Sequence, residues 1–216
     1  MSQVAISGNA SGTGTLTIAA PNTNSNYTLT LPQATTTLVG TDATQTLTNK
    51  TIQGGAITSG TAVASTSGTS IDFTGIPSWV KRITVMFNGV STNGTSVIVV
   101  RLGTSGGIVA TSYIGASGGF LSVGQAVGAY STGFALESDT AAARLYSGNM
   151  VINNISGNTW TEFHALGMSA TEGGGARVCH GGGYQELSGT LTQLRITTVG
   201  GTATFDAGTI NILYEG

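Results

Sequence analysis

Between residues 71 and 216 the chain alternates apolar with polar or small residues in one short run after another. A period of two is the strand pattern, because successive side chains of a strand point to opposite faces. Ile83, Val85 and Phe87 alternate with Arg82, Thr84 and Met86, and after Asn93-Gly94 residues 97–102 are apolar nearly throughout, as two strands joined by a short turn would be. Further strands are expected over 150–154, 159–166, 191–199, 203–205 and 209–214. Helices are disfavoured because 34 Gly and 36 Thr, both poor helix formers, fill the chain of 216 residues. Only residues 138–146, with Ser138 as a cap and several Ala, predict one or two helical turns. Short strands at a spacing of roughly ten residues predict an all-β sandwich or jelly-roll-like domain. The Gly-rich stretches 115–128 and 173–183 read as long loops, where binding surfaces tend to lie.

The first 65 residues differ in kind. Only Asp42 and Lys50 carry charge there, and 16 Thr stand among thinly spread large apolar residues. Leu16 and Ile18 share a face, as do Tyr27, Leu29 and Leu31, with Pro21 and Pro32 ending the runs. Such a segment cannot bury a core alone, and isolated strand pairs are marginal in water. Residues 1–65 are therefore read as an extended arm that folds by association. Small residues over 54–70 serve as its linker to a β-domain, residues 66–216, which holds both Trp, both His and all six Phe.

Charge limits the partners. Seven Lys and Arg against nine Asp and Glu give a formal charge of −2, with no basic tract to displace counterions from a nucleic acid. The mean hydropathy of +0.21 reflects missing charges, not a membrane span. Its densest apolar run, 97–100, ends at Arg101, far short of roughly 20 residues. No secretory signal is visible at the N-terminus, so synthesis in a cytoplasm is expected. The single Cys179 cannot form an internal disulfide.

Chemistry-bearing residues are few. Adjacent Cys179 and His180 would face opposite sides of a strand, a poor geometry for a thiolate–imidazole dyad. Glu162 and His164 share a face with Trp160 and Leu166, and with Glu172 and His180 they are the candidate ligands of a metal; two ligands on one face do not make a site. His164 is read as a strand histidine in a partly covered face. No catalytic residue, metal or cofactor is assigned. Sugars are held by aromatic faces together with amides, and Tyr113, Tyr130, Trp160, Tyr184 and Gln185 are the candidate receptor-binding residues. Trp79 is assigned to packing.

At residues 38–52, LVGTDATQTLTNKTI, the sequence closely resembles an element found in many tail-fibre and other appendage proteins of tailed bacteriophages. The preceding run 27–38, YTLTLPQATTTL, looks like the strand that commonly stands before it. Residues 75–96 and 191–215 likewise look like parts of a recurrent phage fibre domain. The resemblance implies a virion structural protein, homotrimeric and intertwined, with the arm bound to other virion proteins and the β-domain displayed outward; a host-surface glycan is the expected receptor. A tail fibre, a head fibre and a capsid decoration protein all fit it. A glycan-processing enzyme is a minor alternative, lowered by the lack of a long β-helix repeat. In a threefold bundle Leu16, Ile18, Leu29, Leu31, Leu38 and Leu47 of three arms would cover one another, and closure would remove strand edges.

Overall fold

A computed structural model describes residues 11–14, 22–26, 57–121, 124–138, 142, 144–170 and 177–216. Two compact units divide the chain, Met1–Asn49 and Lys50–Gly216. In the first, the described residues 11–14 and 22–26 are exposed. Leu16, Ile18, Leu29, Leu31, Leu38 and Leu47, and the whole of 38–52, lie outside the described residues.

The second unit is all-β, with no helix among the described residues. Its strands are β1 (Thr58–Ser59), β2 (Val63–Ala64), β3 (Ser70–Thr74), β4 (Arg82–Thr92), β5 (Ile98–Thr104), β6 (Gly107–Ile108), β7 (Ile114–Leu121), β8 (Gly124–Tyr130), β9 (Phe134–Ala135), β10 (Arg144–Ser156), β11 (Thr159–Ala170), β12 (Arg177–Glu186), β13 (Gln193–Thr198) and β14 (Phe205–Glu215). Nine form an antiparallel sheet in the order β1-β14-β4-β10-β11-β12-β7-β8, with β2 also on β14. A second antiparallel sheet runs β3-β13-β5-β6, with β9 on β5.

Alternation explains the packing. On β4, Ile83, Val85 and Phe87 are buried, and their cross-strand partners on β10 and β14 include Met150, Ile152, Ile210 and Ile212. Leu102, Val100, Leu194, Ile196, Ile71 and Phe73 join them from the second sheet in one continuous core, giving a β-sandwich. Each such side chain, removed from water, contributes about 1.5–3 kcal/mol.

The two strands expected on either side of Asn93-Gly94 are β4 and β5, and since they belong to different sheets the turn carries the chain over the core. Three other expectations are corrected. Arg144, Leu145 and Tyr146 open β10; in place of helical turns they pair with β11, tertiary pairing outweighing local propensity. The segments read as Gly-rich loops hold β7, β8 and β12. Their glycines sit where strands approach too closely for a side chain: a Cβ on Gly183 would lie 2.5 Å from the Ile114 carbonyl oxygen. Within the small-residue linker 54–70, β1 and β2 pair with β14, and β3 starts at Ser70.

Candidate functional site

The five candidate receptor residues do not form one surface. Tyr113 is in the core, its ring edge-on to Phe134 at 5.0 Å. The Leu102 amide donates to its hydroxyl oxygen at 2.6 Å, and the hydroxyl donates to Val109 O at 3.2 Å. Burial holds this phenol far above its ordinary pKa. Trp160 and Gln185 are cross-strand partners on β11 and β12, and both are buried. Tyr130 is half-buried, its hydroxyl donating to Glu137 O at 3.3 Å, and its pKa is raised by burial and then by the Glu137 charge. Tyr184 is exposed. Alternation separates them: Trp160 and Gln185 take inward positions of their strands, whereas Tyr184 takes an outward one. Trp79 lies at the surface, tilted against Tyr214 with ring centroids 5.9 Å apart.

Inside the sandwich, polar side chains gather beneath β11, β12 and β7. His164 is completely buried, more so than a partly covered face would make it. Its Nε2 donates to Leu136 O at 3.0 Å, and its Nδ1 is hydrogen-bonded to the Glu162 carboxylate. Nearby, buried Glu137 accepts from Arg144 Nη1 at 2.8 Å and from the Tyr146 hydroxyl at 2.9 Å, with Arg177 Nη1 at 3.8 Å from its other oxygen. Tyr146 is raised in pKa first by burial and then by Glu137. The segment 134–137, which begins with β9 on the second sheet, brings Leu136 and Glu137 to these partners. These groups are enclosed: Glu162 is partnered by His164 and Glu137 by Arg144 and Tyr146 through one of its oxygens, while Glu137 Oε1 makes no hydrogen bond among the described residues.

Cys179 and His180 face opposite sides of β12, as their adjacency predicts. Cys179 is buried, and its thiol is pushed up to about 12, by burial first and by the Glu137 charge second. His180 is exposed and stacks on Phe120, centroids 5.0 Å apart and planes 20° from parallel. Glu172 lies outside the described residues. Among the described residues, no three His, Cys, Asp or Glu side chains gather as metal ligands.

The outer face of β11, β12, β7 and β8 is a different kind of surface. Phe163, Val178, Phe120, Ile114 and Val127 are exposed beside Tyr184. Between them lies a depression of about 230 Å³ lined by Ala116, Gly118, Phe120, Val127, His180 and Gly182, among others. No family model, curated protein or solved structure matches the chain. The face therefore stands on its own geometry: among the described residues it is apolar and nearly without charge, with His180 and the Tyr184 hydroxyl as its polar groups. Most of its β7 and β12 positions lie in or beside the Gly-rich stretches, where the signal is alternation itself. Ile114, Ala116, Gly118 and Phe120 follow a period of two, as do Val178, His180, Gly182 and Tyr184.

Proposed function

We propose that this chain is a non-enzymatic structural component of a tailed-phage virion. It is a homotrimeric fibre whose N-terminal arm, ahead of β1, attaches to other virion proteins and whose β-domain meets the host surface, with a cell-surface glycan as receptor. The observation that carries this reading is the run 42–52, DATQTLTNKTI, placed after the Thr-rich run 27–38 and ahead of a β-domain. Two features of the β-domain support it. The antiparallel sandwich is a rigid scaffold, and its strength comes from a continuous apolar core that external salt does not screen. Among the described residues, Glu137, Glu162 and His164 are enclosed and hydrogen-bonded within the domain, away from any partner at its surface. Of the sequence-derived receptor set, Tyr130 and Tyr184 reach the surface.

The test is a virion assembled with a chain lacking residues 1–49, the first compact unit. The truncated protein is expected to fold and to be missing from purified particles. Particles that retain it would contradict attachment through the arm.

A further inference from the structure

The outer face of β11, β12, β7 and β8 is read best in its cross-strand rows. Ala165, His180, Gly118 and Val127 lie in one row, and Phe163, Gly182, Ala116 and Ala129 in the next. Large side chains thus ring a floor of Gly and Ala. Phe163, Val178, Phe120, Val127, Ile114 and Tyr184 are between 44% and 67% exposed. At roughly 150–250 Å² for a whole aromatic side chain, the six leave on the order of 600 Å² in water. This is the upper end of what a monomer shows, and most of the roughly 800 Å² per partner of a stable protein contact.

The outward positions over these rows hold no Lys, Arg, Asp or Glu; Glu186 comes only at the end of β12. A charged partner would find nothing to pair with. A sugar, which needs several fixed hydrogen-bonding groups, would meet only His180 and the Tyr184 hydroxyl. A partner with the same surface fits better, because this face carries both the protruding side chains and the recess to receive one. The recess of about 230 Å³ has the capacity for a single Phe- or Val-sized side chain. β8, at the end of the sheet order, continues the surface with an edge that carries neither Pro nor a charged residue, two of the devices that block pairing with another chain. Copies of this protein also repel one another weakly, since each carries a formal charge of only −2.

The geometry points to this face as the contact surface between copies of the chain, with the rim of one copy seated in the Gly118–Gly182 recess of the next. It gives the homotrimer its β-domain contact and rests on that reading only for the number of copies. It also removes Tyr184 from the receptor surface.

The test uses the full chain with Val127→Cys, an exposed position, and follows maleimide labelling at that thiol together with molar mass by light scattering. The parent chain corrects for Cys179. Assembled protein is expected to label at least tenfold more slowly than the same chain carrying Phe163→Glu, a change at a side chain 60% exposed that leaves the core untouched. Circular dichroism and a thermal melt check that the Phe163→Glu chain is folded. Labelling at the rate of a free surface thiol overturns the proposal whatever the mass, since copies held together by the arm alone would leave Val127→Cys open. A monomer overturns it too, even one slow to label, because the cover would then be a segment of its own chain. Absence of the protein from particles would contradict the virion reading and leave this result intact.

Discussion

The imidazole of His164 occupies the space that a side chain on Gly181, its cross-strand partner, would need. A Cβ on Gly181 would overlap His164 Cε1 and lie 2.8 Å from both Ala116 O and Ser117 Cβ. Backbone oxygen and a hydrogen-bonded ring cannot yield as a flexible chain end would. Gly181→Ala is therefore expected to destabilise the domain by about 1–3 kcal/mol, lowering the melting temperature by roughly 3–10 °C. Calorimetry on the variant checks it, and an unchanged melting temperature would mean that the ring is not held there.

Glu162 has one task in this arrangement, to complete the hydrogen bonding of a ring that is already committed to Leu136 O. Glu162→Gln keeps a donor for Nδ1 and is expected to cost well under half of what Glu162→Ala costs. The alanine variant leaves a buried ring nitrogen unpaired, a loss of about 1–3 kcal/mol. Urea unfolding of the two variants measures the difference, and equal losses would contradict a hydrogen bond from residue 162 to the ring.

How far the sequence discloses this structure depends on what each residue pattern encodes. Alternation at Ile83, Val85 and Phe87, and again over 159–166, marks strands because it reports local geometry directly. It does not report partners, so nothing in Asn93-Gly94 says that the next strand enters the other sheet. Gly181 and Gly183 look like loop residues because their role is defined by His164 and Ile114, which are distant in sequence. The candidate surface was misread for a related reason. Trp160 shares its parity with buried Leu166, so its aromatic character belongs to the core, whereas Phe163 has the opposite parity and faces out. Which face of a strand is covered is decided by the other sheet, and that is a property of the whole fold.

Cys179 gives a pH dependence. A thiol whose pKa rises on folding contributes stability that is whole below its unfolded value of 9.0 and is lost as pH climbs toward the folded value of about 12. Buried Tyr113 and Tyr146, both raised, act in the same direction. The melting temperature is expected to fall steadily above about pH 9, and iodoacetamide at pH 8 to leave native Cys179 unmodified while labelling it once the chain unfolds. Rapid alkylation of the native protein would contradict the enclosed thiol.

The central claim is that the chain is displayed on a virion, and antibody labelling of intact particles tests it most directly. Antibodies raised against residues 50–216 are expected to decorate intact phage particles purified from the lysate in which the chain is made, at fixed positions visible by electron microscopy. Label found only in the infected-cell lysate, with particles bare both before and after disruption, would contradict the account.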